Sequence, residues 1–270
     1  MAMTRNAAPP SDSLAPRRRA RLVSAGERAV LRNSHDQVVH AIGCAIVSGG
    51  LAPGGPLPQE EALLAQLKVS RTVLREALKT LAAKGMIVSR TRVGTHVLPR
   101  EEWNLFDPDV LSWHVINGAD GSLRAELTDF RLAMEPAAAT LAALHATPAQ
   151  IAEMRRLVAA MAQAQSSRLA FAQVDLALHK LIALASGNRL MAGTDAVIET
   201  ALFASFTLSS PVDDLADHMA SVRGHAAIVE AIAARDGVAA AHAVRGVIRH
   251  GQERSDAVEQ RQREIRNHAG

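Results

Sequence analysis

Between Pro56 and Pro99 the chain reads "PLPQEEALLAQLKVSRTVLREALKTLAAKG" and then "MIVSRTRVGTHVLP", and this stretch limits the possible folds more than any other. Leu63, Leu64 and Leu67 recur at helical spacing over Gln59 to Leu67. "KVS" is short enough for a tight turn, and Ser70 is placed to cap a second helix whose inward face carries Val73, Leu74, Ala77, Leu78 and Leu81. After Gly85, strand-like "MIVS" and "THVLP" flank a tip containing Arg90, Arg92 and Gly94. Helix, turn, helix and hairpin in that order form the plan of a winged helix-turn-helix, which makes double-stranded DNA the first partner to consider.

The outward residues suit that partner. Arg71 and Arg75 stand four apart on one helix face, and the planar fork of arginine matches the O6 and N7 acceptors of guanine. They are expected to contact bases or phosphates, with Thr72 and Lys79 on phosphates. Arg90 and Arg92 are placed to enter the minor groove, and Gly94 to let the wing tip approach the DNA backbone. A solvated helix face is the plainer alternative. Charge is divided accordingly: residues 1–100 carry 15 Lys and Arg against 6 Asp and Glu, a net of +9, and the other 170 carry 15 against 21, a net of −6.

Upstream, a helix is expected from Ser34 to Val47 on the stripe Val38, Val39, Ile42 and Ile46, stopped by Ser48-Gly49-Gly50. Residues 1–33, with Arg17, Arg18, Arg19 and Arg21, read as a flexible basic arm, and residues 34–99 as the DNA-binding domain. "PLPQEEALLAQLKVSRTVLREALKTLAAKGMIVSRTRVGTHV" resembles the DNA-binding domain of GntR-type bacterial repressors over about 45 residues, with turn, helix and wing agreeing together. It departs from them at Glu61, where the family often carries Arg.

Residues 100–119 form a linker with more apolar weight than a tether needs, including both tryptophans, Trp103 and Trp113. It is expected to pack between domains, either passing ligand-induced movement to the head or simply filling a core. It also resembles a "W-N-x-x-D-x-D-V-L-x-W" stretch of sugar-acid-responsive members of the family.

From residue 120 to 256 the composition and periodicity predict an all-α antiparallel bundle, with helices near 122–145, 148–165, 168–186, 189–208, 214–235 and 237–256, then a C-terminal tail at 257–270. The fold class is therefore mostly α, a winged helix-turn-helix with a small β wing followed by a helical bundle. Asp175 and His179 fall at i and i+4 on an apolar stripe, and His225 lies on another with Ile228, Val229 and Ile232. Burying such groups is costly unless they are paired, which points either to a shared cation or to a metal-free hydrogen-bond network. Arg131 shares a stripe with Leu127, Met134, Ala138 and Leu141, so it either awaits an anion or is neutralised by Glu135. His145, His218 and His242 read as surface positions.

The pattern D-x-x-x-H-x-x-x-x-x-x-S-G-N with a later H-x-x-I-x-x-A-I resembles the FCD effector domain of the FadR branch of that family. The resemblance implies a divalent metal, commonly zinc, bound by one Asp and three His, with Asp175, His179 and His225 as three of the four ligands. The last ligand of the family would fall at Val247, and His250, one turn further on, is the candidate fourth. The resemblance also implies that Arg131 faces an effector cavity, with Asn188 as a further lining residue. A small carboxylate is the implied effector, an aldonate such as galactonate or gluconate among the candidates.

These readings converge on a homodimeric, ligand-responsive transcriptional repressor rather than an enzyme. The alternative is a metal-dependent hydrolase with a DNA-binding appendage, for which no HExxH or comparable carboxylate stands beside the three ligands. Cys44 is the only cysteine, and no apolar run approaches the roughly 20 residues that span a bilayer, so a bacterial cytoplasmic location is expected, on the nucleoid when operator is bound.

Overall fold

The structure is a computed structural model that describes residues 34–117 and 121–268; the basic arm, with Arg17, Arg18, Arg19 and Arg21, lies outside the described residues. The head begins with α1 (Ser34–Val47), α2 (Glu60–Leu67) and α3 (Arg71–Ala83). Helix α2 ends where Lys68 turns left-handed at φ 54°, and α3 starts where the Ser70 hydroxyl accepts the Val73 amide at 3.3 Å. Strands β1 (Ile87–Arg90) and β2 (Gly94–Val97) pair antiparallel, Ile87 opposite Val97 and Arg90 opposite Gly94. Each strand thus runs one residue nearer the tip than the apolar pattern indicates, because the turn is closed by positive φ at Arg92 (64°) and Gly94 (100°). No atom lies within 4 Å of a Cβ placed on Gly94, so within this chain glycine serves the backbone angle and not a close approach.

Helix α4 (Pro108–Ile116) shows what the heavy linker does. Asp107 caps it through the amides of Asp109 and Val110. Val110 and Trp113 join the head core with Trp103, Ile42, Ile46 and Leu74, while Leu111 packs with Leu123, Leu127, Val197 and Ala201. Gly43 on α1 makes room for Trp113: a Cβ there would lie 2.4 Å from the ring. The Trp113 indole donates to His40 Nδ1 at 3.0 Å. The linker is therefore a helix buried on two faces, one toward each domain.

The second domain comprises α5 (Gly121–His145), α6 (Pro148–Gln163), α7 (Arg168–Ala185), the short α8 (Arg189–Ala192), α9 (Asp195–Leu208), α10 (Leu215–Ala233) and α11 (Gly237–His268). Helices α5, α7, α10 and α11 pack around one another, with α6 against α7 and α10 and α9 against α7 and α4. Thr147 and Gln150 form a capping box on α6, and Ser167 and Asp214 cap α7 and α10. Two helix boundaries differ from expectation. The helix expected over 189–208 breaks at Gly193 and Thr194, and α11 continues to His268, so residues 257–268 extend the last helix instead of leaving it as a tail. Its far end is strongly polar, with "EQRQREIRNH" offering helix formers but no apolar stripe to read.

Candidate functional site

Asp175 and His179 on α7 and His225 on α10 meet in the bundle core, 2%, 4% and 1% exposed, each offering a ligand atom within 4.8 Å of the others. Each imidazole is held by its other nitrogen. His225 Nδ1 lies 2.7 Å from the Ser221 carbonyl and donates its proton there, which turns Nε2 toward Asp175 Oδ1 at 2.9 Å. His179 Nδ1 lies 2.5 Å from Glu135 Oε2, and its Nε2 faces Asp175 Oδ2 at 3.8 Å. A bare nitrogen facing a carboxylate oxygen is repulsive unless a proton or a metal ion is shared between them. Nε2 of both histidines and Oδ2 of Asp175 have no hydrogen-bond partner among the described residues. Two oriented imidazoles and a carboxylate, with aligned and unsatisfied donor atoms, fit a divalent ion such as zinc.

Glu135 also accepts from Arg131 Nε at 2.5 Å, so one buried carboxylate bridges the guanidinium and His179. Burial pushes the Glu135 carboxyl up, but Arg131 and His179 outweigh it and hold it at about 2. Burial also acts to raise Asp175, and the imidazoles of His225 and His179 reverse the sign and lower it. For His179, burial acts downward and the carboxylates of Glu135 and Asp175 raise it.

Asp175, His179 and His225 form one wall of a cavity of about 110 Å³ between α5, α7, α9, α10 and α11. Arg131 lines it, as the sequence predicts. So do two cations the sequence reading missed, Arg124 and Arg254. Arg124 pairs with Glu259 across the mouth, whereas Nε of Arg254 finds no hydrogen-bond partner among the described residues. Burial lowers the Arg254 guanidinium, against the pull of Asp217, Asp175 and Asp213. The only sequence signal for Arg254 is its spacing of seven from Val247 along α11.

Two expected site residues lie elsewhere. His250 is not in the cluster: three residues past Val247 it is rotated and about 4.5 Å further along the axis, and it faces Asp217 at 3.8 Å with its side chain 36% exposed. Val247 occupies the wall instead, its Cγ2 within 2.9 Å of where a Cβ on Gly224 would sit. Asn188 does not line the cavity; its side chain caps α8 by accepting from the amides of Leu190 and Met191. His218, read as a surface position, is 1% exposed and packs edge-on against Phe171.

On the head, Arg71, Thr72, Arg75 and Lys79 are exposed on the outward face of α3, and Arg90, Arg92 and Gly94 are exposed at the wing. Glu60 lies between Arg71 and Arg75, 3.8 Å from the first and 3.6 Å from the second, and Glu61 is 4.0 Å from Arg71. Such exposed pairs contribute at most about 1 kcal/mol each, so phosphate or guanine can displace them. Sequence reading had not anticipated that role for Glu60. Lys84, at the end of α3, is tied to α4 through Asp107 at 2.8 Å and Asp109 at 2.9 Å.

Residues 34–97 match the bacterial regulatory proteins of the gntR family, and residues 126–250 match the FCD domain. The chain is 33% identical to the HTH-type transcriptional regulator YieP of Escherichia coli over 84% of its length and 97% of that protein's. It is 32% identical to the galactonate operon transcriptional repressor of Escherichia coli over 78% of its length and 92% of that protein's. Among solved structures it is similar to Lar, which controls expression of the Listeria monocytogenes agr system, with a TM-score of 0.55 at 15% identity over 83% of this chain and 96% of that one, a likeness of fold. The chain belongs to the GntR family of bacterial transcriptional regulators, with a DNA-binding head followed by an FCD domain.

Proposed function

We propose that this regulator is a homodimeric repressor of a carboxylate or sugar-acid catabolic operon, released from its operator by a small acid bound beside a divalent metal such as zinc. The observation that carries the reading is the cavity itself. It places Arg131 and the Asp175, His179 and His225 cluster on one lining, and two further lining residues, Leu127 and Ala201, pack around Leu111 of α4. An acid entering the cavity therefore presses on the residues that seat the linker helix. The metal would be held by Asp175, His179 and His225, with Glu135 and the Ser221 carbonyl fixing the rings, and would supply a Lewis-acidic point for a carboxylate. Arg131 neutralises the acid and Arg71, Thr72, Arg75, Lys79, Arg90, Arg92 and Gly94 face the operator. Galactonate and gluconate are the first effectors to test, given the similarity to a galactonate operon repressor.

The test is a gel-shift titration on DNA from the protein's own promoter. The wild-type protein is expected to bind and to be released by one of these acids, and Arg71→Ala and Arg75→Ala each to weaken binding by about 1–3 kcal/mol with helicity unchanged. Unaltered affinity in both variants would remove α3 from the DNA interface.

A further inference from the structure

Resting on the metal-and-acid reading above, we propose that the protein contributes only three ligands and that the acid supplies the rest, so that divalent cation and effector bind as a mutually dependent pair; the effector class is an α-hydroxy carboxylate. A bound zinc or other divalent first-row ion takes about four to six ligands. Among the described residues only Asp175, His179 and His225 converge. Of the other nearby carboxylates, Glu135 is committed to Arg131 and His179 and Glu259 to Arg124, Asp256 lines the cavity outside the converging set, and His250 is turned to Asp217. The neighbouring wall is apolar where α11 passes His225, at Val247 and Ile248.

The remaining lining is mixed in charge, with Arg124, Arg131 and Arg254 set against Asp256 and Glu259. Arg131 is paired with Glu135 and Arg124 with Glu259, which leaves Arg254, whose Nε has no hydrogen-bond partner among the described residues, to oppose a divalent ion that arrives alone. An acid offsets that charge, because its carboxylate can pair with Arg254 while ligating the ion. A hydroxyl on the adjacent carbon closes a five-membered chelate and fills a second position. Thr128, Ser205 and Ser255 along the same cavity suit further hydroxyls of the acid. By linkage, whatever factor the acid adds to cation affinity the cation adds to acid affinity.

The test is equilibrium dialysis of the full chain at a series of fixed free zinc concentrations, set by a chelator buffer that compensates for complexation by the acid. Bound zinc per chain is read by elemental analysis with no acid, or with acetate, glycolate, gluconate or galactonate. The midpoint is expected to fall about tenfold or more with at least one of the three α-hydroxy acids and to move little with acetate. Val247→His, which adds an imidazole to the wall beside His225, is expected to bind zinc tightly without acid; the wild-type arms decide the matter even if that variant misfolds. Tight zinc binding by the wild type that no acid strengthens overturns the pairing and leaves the metal reading standing. Equal strengthening by acetate overturns the α-hydroxy class. Zinc absent from every arm overturns the metal reading as well.

Discussion

Glu135 joins Arg131 to His179 within a core that excludes water, and its carboxyl is held at about 2 against an ordinary value of 4.5. A depressed carboxyl stabilises the fold above its unfolded value and ceases to do so as pH falls through the folded one. Glu135→Gln in metal-free protein is therefore expected to lose about 3 kcal/mol at neutral pH in urea unfolding, with the gap to wild type closing from about pH 4.5 downward toward 2. A gap that does not change with pH would mean that this carboxylate is not charged in the fold. Arg131→Ala should leave operator affinity intact and abolish release by acid, as read by gel shift; retained release would take Arg131 out of the acid site. Asp175, His179 and His225 were legible because a polar residue on an apolar stripe announces itself. Arg254 was not, since the far half of α11 is polar nearly all round and offers no stripe to interrupt. His250 misled through helical geometry, because three residues fall about 60° short of a full turn.

Helix α4 is the element whose role composition predicted best. Two tryptophans in a linker imply burial, and Trp103 and Trp113 are indeed 5% and 2% exposed. What composition could not convey is the two-sidedness, with Val110 and Trp113 given to the head and Leu111 to the bundle. Lys84, half-buried and bound to Asp107 and Asp109, adds a direct tie from the end of the recognition helix to the start of α4. Leu111→Ala should cost about 2–5 kcal/mol in unfolding free energy while weakening release by acid more than it weakens DNA binding. If release measured by fluorescence anisotropy is unchanged, α4 does not carry the signal through that side chain. Gly43→Ala puts a methyl where the Trp113 ring lies and should destabilise the head by about 1–3 kcal/mol. Thermal unfolding that matches wild type would show that α1 and α4 can separate cheaply. The break at Gly193 and the length of α11 escaped sequence reading for different reasons. A lone glycine in a helical pattern is often tolerated, and a polar helix end lacks the period that marks its boundary.

For the whole molecule, the charge split between a basic first 100 residues and an acidic remainder follows the division of labour between head and bundle. No helix among the described residues is long and apolar enough to cross a membrane. The two halves share α4, so on the proposed reading a ligand in the bundle would act by biasing a packed joint, which requires different affinities for the ligand in the states with and without DNA. Fluorescence anisotropy of labelled promoter DNA bound to the full-length protein tests this most directly, by titrating gluconate or galactonate with zinc present and then with zinc removed by chelation. One of these acids is expected to release the DNA with zinc present, release to be lost or shifted to at least about tenfold higher acid without it, and His179→Ala to behave as zinc-free protein under both conditions. Release at the same acid concentration with and without zinc, or undiminished in His179→Ala, would contradict it.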